Sequence, residues 1–230
     1  KWQVCPFELS LDVSTWVDVV ICDYNYAFDP RTHLKRFFYE GTKEDYIFLV
    51  DEAHNLVERA RNMYSASICK EDFLELKRLL KGKAPKVEKQ LNKSNTHLLE
   101  LKRECEHYES LKDINALYLQ LLSLSGEIQE YLEIADDVEI KKSVTEFYLN
   151  LRTFLNTYDV LDESYTIYSQ MCPDGKFRLH LFCIHPAKRL KEYLQHGRGC
   201  IFFSATFLPI QYYKELLSGE MEDYAVYATS

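Results

Sequence analysis

Two adjacent carboxylates and an imidazole, Asp51, Glu52 and His54, directly follow the short apolar run Ile47–Val50. Such a run predicts a buried strand, which delivers the polar side chains to the carboxyl edge of a sheet, where open α/β sheets bind ligands. Phosphoryl transfer needs this combination, because one carboxylate can hold Mg²⁺ through water while the next orients and deprotonates an attacking water. Alternatively, the acidic pair only begins the following helix, whose N-terminus favours negative charge.

A second apolar run, Cys200–Phe203, leads into two hydroxyl residues, Ser204 and Thr206. Hydroxyls at a strand end can hydrogen-bond a carboxylate or an imidazole on the neighbouring strand. Their alternative role is to cap the helix that Pro209 is expected to start. Because both polar motifs follow predicted buried strands, we expect the strand ends at Asp51 and Ser204 to be adjacent in one parallel sheet.

Residues 1–66, which contain the first motif, have the pattern of an α/β segment. Val19–Cys22 is a continuous apolar run and predicts another strand buried on both faces. Asp29-Pro30 predicts a helix start, with aspartate as the N-cap and proline at the first helical position. Gly41 would lie just past the end of that helix.

Residues 165–230, which contain the second motif, return to the α/β pattern. Alternating faces around Pro173-Asp174-Gly175 predict a β-hairpin. A helix is expected from Pro186 to just before Gly197, and a last helix from Pro209.

The intervening residues 67–164 have a helical pattern, with apolar side chains at alternating spacings of three and four over three long stretches. This pattern indicates long packed helices, in a small bundle or an antiparallel hairpin, with a break expected near residues 93–96. The order of segments is most simply explained by an α/β fold in which a helical insertion interrupts one parallel sheet.

Charge is uneven along this insertion. Residues 70–103 carry ten Lys/Arg and five Asp/Glu, whereas residues 104–163 carry four and fourteen. The net charge of −8 gives no case for nucleic-acid binding by bulk charge, so only a local basic cluster could attract phosphates. The candidates for that cluster are Lys81, Lys83, Lys86 and Lys89. The alternative is a solvated helix pair with partners one turn away.

The seven cysteines are scattered, and no two are separated by only two residues. This spacing argues against a zinc ribbon and indicates a reducing, cytoplasmic protein. Zinc binding around His180 and Cys183 is disfavoured, since the two side chains would point to opposite faces of a strand. No apolar run approaches the roughly 18 residues of a membrane span. The abrupt start at Lys1 suggests a piece of a longer protein.

The chain resembles the superfamily 2 helicases. D-E-A-H at 51–54 is similar to their motif II, and S-A-T at 204–206 to their motif III. The neighbouring sequence narrows the resemblance to the iron–sulfur helicases of the XPD/DinG group, especially their bacterial members. It includes V-V-I-C-D-Y-N-Y at 19–26, L-F-C-I-H-P at 181–186 and F-S-A-T-F-L-P at 203–209.

The resemblance implies a partial RecA-like sheet of the P-loop NTPase type, interrupted by a helical Arch-like insertion. On this basis we expect four parts: a tail of the iron–sulfur region (1–15), the first motor domain (16–66 and 165–230) and the insertion between them (67–164).

The resemblance also implies a role for each matching residue. Asp51 would coordinate Mg²⁺ through ATP, Glu52 would be the base for the hydrolytic water, and His54 would couple the nucleotide site to the rest of the motor. Ser204 and Thr206 would link hydrolysis to DNA. Tyr24, Asn25 and Tyr26 would lie near the DNA path, although buried packing explains each of them equally well. Cys5, followed by proline, would be a lone ligand of a 4Fe–4S cluster.

One departure limits the implied activity. The sequence contains no G-x-x-x-x-G-K-[S/T], so the phosphate-cradling loop and its lysine are missing. We therefore expect a fragment of an ATP-dependent DNA helicase, with a DNA-repair type of role on single-stranded or forked DNA, that is inactive and without its cluster when alone. The alternative is a non-catalytic helical module that binds nucleic acid or protein from an α/β base. Protein partners are not predicted.

Overall fold

The computed structural model describes residues 4–38, 45–220 and 222–226. Within these ranges the chain forms nine helices and six strands. The helices are α1 (Pro6–Ser14), α2 (Asn25–Phe28), α3 (His54–Tyr64), α4 (Lys70–Leu80), α5 (Pro85–Glu104), α6 (Asn115–Ile134), α7 (Val138–Asp159), α8 (Ala187–Leu194) and α9 (Ile210–Leu216). The strands are β1 (Ile47–Val50), β2 (Ala66–Cys69), β3 (Tyr108–Leu111), β4 (Tyr165–Met171), β5 (Phe177–Cys183) and β6 (Gly199–Phe202).

Strands β1 and β6 form a short parallel sheet, in which Val50 is paired with Phe202 at the carboxyl end. This sheet shares a hydrophobic core with α3, α8 and α9 that includes Phe28, Val50, Leu56, Leu190 and Leu216. The arrangement confirms the expected α/β class with a parallel sheet. Ile47 and Leu49 are exposed, however, because alternate residues point to opposite faces and the helices bury Val50 on only one of them.

A second hydrophobic core lies between helices α4–α7 and a four-stranded antiparallel sheet with the order β2-β5-β4-β3. The helices pack through apolar side chains at the predicted spacing, and these are fully buried: Leu91, Leu98, Leu121, Leu151 and Phe154. The predicted hairpin is present as β4 and β5, whose inward positions alternate with half-buried ones.

The insertion is therefore not entirely helical, which corrects the expectation for residues 67–164. Strands β2 and β3 pair with the two edges of the β4–β5 hairpin, so this hairpin belongs to the antiparallel sheet rather than to the parallel one. Both added strands are four residues long and partly polar, which leaves no alternating pattern in the sequence. Their backbone groups are satisfied only after the hairpin edges have formed.

Two predictions for the N-terminal part are wrong. Residues 19–22 form no strand, and the Ile21 side chain is 96% exposed. Asp29-Pro30 begins turns rather than a helix, since the Asp29 carboxylate accepts the Arg31 amide and the chain then reverses, with the Leu34 amide donating to the Tyr26 carbonyl. Gly41 lies outside the described residues.

The break expected near residues 93–96 is also wrong, because α5 continues from Pro85 to Glu104. Ser94 is fully buried there and its hydroxyl donates to the Gln90 carbonyl one turn earlier. The hydroxyl is satisfied inside the helix, so it does not act as a cap.

Candidate active site

The two polar motifs lie side by side at the carboxyl end of the parallel sheet. Just beyond the last strand pair, the Phe203 amide donates to the Val50 carbonyl at 3.0 Å. The Ala53 amide in turn donates to the Phe203 carbonyl at 3.1 Å. These two bonds extend the pairing of β1 and β6 past the sheet, and they bring Glu52 and Ser204 together as the sequence predicts.

Three side chains form a polar triangle at this edge. Nδ1 of His54 lies 2.8 Å from the Ser204 hydroxyl and 3.2 Å from Oε2 of Glu52. The Ser204 hydroxyl also lies 3.4 Å from the same Glu52 oxygen. Because the Glu52 side chain is 56% exposed, its carboxylate can meet water while it stays in contact with its two partners.

The loop after β6 fixes the position of the Ser204 hydroxyl. The Thr206 amide donates to this oxygen at 3.2 Å, and the Thr206 hydroxyl lies 3.3 Å from it. Thr206 therefore acts on the triangle through Ser204. The alternative role, in which the two hydroxyls only cap the next helix, is wrong, since α9 begins at Ile210 without a side-chain cap.

Glu52 has a left-handed backbone, with φ at +46°. This conformation costs a non-glycine residue about 1–3 kcal/mol, and such strained residues are concentrated at functional sites. The turn is held on both sides, because the Glu52 amide donates to Oδ1 of Asp51 and the following Ala53 amide is bound by Phe203. The strain brings the Glu52 side chain to the Ser204 loop before α3 begins at His54.

Asp51 is exposed at the same edge. One of its carboxylate oxygens accepts the Glu52 amide at 2.7 Å. Mg²⁺ bound to a nucleotide is typically held by one or two carboxylates together with phosphates, and Asp51 suits that role. No cluster of three or more His, Cys, Asp or Glu side chains that suits a metal ion occurs among the residues 4–38, 45–220 and 222–226.

The three residues expected near DNA are half-buried, and one of them reaches the turn formed by Asp51 and Glu52. The Tyr24 hydroxyl donates to the Asp51 carbonyl and lies 3.2 Å from the Glu52 carbonyl. Burial, and then the nearby Asp51 charge, raise the pKa of the Tyr24 phenol. The backbone amide of Asn25 donates to the Asp23 carboxylate, and the centres of the Tyr26 and Phe7 rings lie 6.3 Å apart.

Sequence reasoning missed Arg59. This residue lies on α3, and its guanidinium is 5.7 Å from the centre of the Tyr24 ring and 3.4 Å from Oδ1 of Asp23. The sequence gives no sign of these two contacts, because a single arginine on an amphipathic helix is common and the contacts depend on where the segment around Tyr24 folds.

Cys5 is exposed and precedes α1 as its N-cap residue. A four-iron cluster needs four such ligands. The described residues offer no group of this kind around Cys5, so they do not fit the cluster.

The four candidate lysines divide into two pairs. Lys83 lies 3.8 Å from Asp137, and Lys86 lies 3.4 Å from Glu130, so both face the acidic part of the insertion. Lys81 and Lys89 are exposed and form no ion pair within the described part of the chain. Two of the four lysines thus form exposed ion pairs with the acidic 104–163 segment rather than with partners one turn away, and the other two are left for solvent or phosphate.

Comparison with known proteins gives partial matches. Residues 1–73 match the DEAD_2 family. A Fanconi anemia group J protein homolog from Gallus gallus is 32% identical over 68 residues, which is 30% of this chain and 5% of that protein. An ATP-dependent DNA helicase, CHL1, from Saccharomyces cerevisiae is 30% identical over 99 residues, or 43% of this chain and 11% of that protein.

These matches support a relationship with the iron–sulfur superfamily 2 helicases. The family match includes Asp51, Glu52 and His54 and ends before Ser204. Both relatives are eukaryotic, so the resemblance to bacterial members stays a prediction. The aligned segments span about a tenth or less of the curated relatives. No helix in the described ranges is both long enough and apolar enough to cross a membrane.

Proposed function

We propose that this chain supplies the water-activating and coupling half of the motor of an ATP-dependent DNA helicase. The observation that carries the proposal is the contact of Glu52, His54 and Ser204, which joins two polar motifs from distant parts of the sequence at one sheet edge. The DEAD_2 match and the named helicase relative support it. A cytoplasmic location, a preference for unpaired or forked DNA and a DNA-repair role are part of the proposal.

In this proposal Glu52 is the general base. Its exposed carboxylate accepts a proton from the attacking water, while Ser204 and His54 hold one of its oxygens. Asp51 holds the cation, which when bound neutralises phosphate charge. Because the Ser204 hydroxyl contacts the Glu52 oxygen, a movement of the Ser204 loop would shift the base. In this proposal the loop is therefore the element through which nucleic-acid binding affects hydrolysis.

The chain by itself does not complete a nucleotide site. The sequence has no phosphate-binding loop, so it supplies no backbone cradle for the phosphates of a nucleotide. Asp51 and Glu52 fit the cation and water side of such a site only. We therefore infer that hydrolysis requires a protein that carries this chain together with that loop.

A non-catalytic interaction module is the second candidate. The helical insertion has its own core, separate from the core of the parallel sheet. Its surface could therefore bind a partner without any change in the parallel sheet. The pairing of Lys83 and Lys86 with acidic partners favours this role over DNA binding for that half of the basic stretch.

The deciding experiment replaces Glu52 by glutamine in a protein that carries this chain and a phosphate-binding loop. We expect DNA-stimulated ATP hydrolysis to fall at least about a hundredfold while ATP binding is retained, because the substitution removes the base and keeps its volume. Glu58→Gln is the matched control, since Glu58 is an exposed glutamate on α3 that pairs with Arg61. Hydrolysis that survives in Glu52→Gln contradicts the proposal.

A further inference from the structure

Two amides and two carbonyls around the Asp51–Glu52 turn have hydrogen-bond partners, and one partner is a side chain from a distant segment. The Glu52 amide is bound by the Asp51 carboxylate, and the Ala53 amide by the Phe203 carbonyl. The carbonyls of Asp51 and Glu52 both face the hydroxyl of Tyr24. That hydroxyl is therefore the tertiary contact on the carbonyl side of the turn.

A phenol has one proton to donate, so the two carbonyls do not depend on Tyr24 equally. The Glu52 carbonyl also accepts the Asn55 amide at 2.9 Å, in the first turn of α3. The Asp51 carbonyl depends on Tyr24, which is the donor that the structure gives it. Loss of the hydroxyl removes the tertiary donor to this peptide and leaves it held by the local bond from the Glu52 amide to the Asp51 carboxylate. The orientation of the peptide, and with it the left-handed Glu52, is then less constrained.

The Tyr24 ring is itself held in place. Arg59 lies over the ring and also pairs with Asp23, the preceding residue. Since Arg59 and the turn are both joined to α3, the segment around Tyr24 is tied to the catalytic edge at two points. This anchoring is typical of a side chain that positions another group, whereas a base-stacking residue needs a free ring face.

We propose that Tyr24 is a positioning residue whose hydroxyl orients the Asp51–Glu52 turn and thereby places the Glu52 carboxylate against Ser204. The consequence for hydrolysis rests on the function proposed above, whereas the effect on the turn does not. The proposal replaces a direct role of the hydroxyl in DNA contact.

Tyr24→Phe tests the proposal, because it removes the hydroxyl and keeps the ring over Arg59. In a protein with this chain and a phosphate-binding loop, we expect kcat for ATP hydrolysis to fall about tenfold, with KM for ATP and DNA affinity unchanged. Tyr64→Phe is the matched control, since it removes another tyrosine-to-carbonyl bond, to Phe28 at 3.0 Å, and leaves the Tyr24 hydroxyl in place. A purely structural role would lower the melting temperature in both variants and leave kcat intact, which overturns the proposal.

Amide hydrogen exchange on this chain gives a readout that does not depend on activity. We expect the Glu52 and Ala53 amides to exchange about tenfold faster in Tyr24→Phe and at the wild-type rate in Tyr64→Phe. Unchanged exchange at both amides in Tyr24→Phe overturns the proposal. A wild-type protein that does not hydrolyse ATP contradicts the proposed function instead, and the exchange experiment then decides the role of Tyr24 alone.

Discussion

Nδ1 of His54 lies 2.8 Å from the hydroxyl oxygen of Ser204, although 150 residues separate them in the sequence. Most of the intervening chain, from β2 to the β4–β5 hairpin, belongs to a second part of the fold with its own core. The parallel pairing of β1 with β6 brings the chain back to the first core after this segment and sets the distance between the two side chains. The contact therefore depends on the pairing of two four-residue strands.

Ser204→Ala should lower DNA-stimulated ATP hydrolysis about tenfold without loss of ATP binding, in a protein that also has a phosphate-binding loop. The substitution leaves Glu52 and His54 without their shared hydroxyl partner, which is a loss of about one hydrogen bond. Steady-state kinetics provide the measurement.

Ser204→Thr should retain most of the activity, because it keeps the hydroxyl. Ser143→Ala is the control, since that exposed hydroxyl contacts only the backbone of α7 at Glu139. Equal activities for wild type and Ser204→Ala would mean that the triangle plays no part in hydrolysis.

Glu52→Gly should unfold at higher denaturant concentration than Glu52→Ala, with a difference of about 1 kcal/mol in the free energy of unfolding. Both variants lack the carboxylate, but only glycine adopts a φ of +46° without steric cost. Urea unfolding of this chain measures the difference and requires no activity.

The same pair of substitutions at Glu58, in the middle of α3, is the control and should give the opposite order, since alanine is the better helix former. An alanine variant that is as stable as the glycine variant at position 52 would show that the turn is not strained.

The location of the site could be predicted from the sequence, because continuous apolar runs before Asp51 and Ser204 specify strands and parallel strands align their carboxyl ends. The left-handed turn at Glu52 could not, since it results from hydrogen bonds to Tyr24 and Phe203 that form only in the folded chain. Likewise, β2 and β3 carry no strand pattern, because they are specified by the edges of the hairpin rather than by their own residues.

Residues 19–22 show the converse error. Their apolar pattern is that of a buried strand, yet Val19 and Ile21 are exposed and unpaired with any strand of the described ranges. A local pattern reports that a segment suits a sheet, but a strand also needs a neighbour that offers a free edge.

Charge reversal at Lys81 and Lys89 should weaken single-stranded DNA binding by the chain and reduce its salt dependence, without loss of stability. These two lysines are exposed and without an ion pair in the part of the chain that the structure describes. On single-stranded DNA each lysine that contacts a phosphate contributes about 0.7 unit to the salt slope, so the double variant should lower the slope by about 1.4.

Charge reversal at Lys83 and Lys86 is the matched comparison. The double variant places like charges beside Asp137 and Glu130. Unlike the variant at Lys81 and Lys89, it should therefore lower the free energy of unfolding by about 0.5–1 kcal/mol. Fluorescence anisotropy at several salt concentrations gives affinity and slope together. If neither variant changes the affinity, the insertion is an interaction module and not a DNA-binding arm.

Asp162→Asn should destabilise the chain at neutral pH by about 1–2 kcal/mol, and this difference should disappear in acid. Asp162 follows α7 and pairs with Lys188 at 2.6 Å and Arg189 at 3.6 Å on α8, so it ties the end of the insertion to the other core.

Burial alone would raise the pKa of Asp162, but the Lys188 ammonium and the Ser164 amide lower it to about 2. A pKa depressed by folding contributes stability above the ordinary value of 3.8, and that contribution is lost as the pH falls through about 2. The difference in unfolding free energy between wild type and Asp162→Asn should therefore shrink between about pH 4 and pH 2, whereas Asp136→Asn, at an exposed aspartate, should match wild type throughout. A difference that persists unchanged at pH 2 would show that the Asp162 charge does not hold the two parts together.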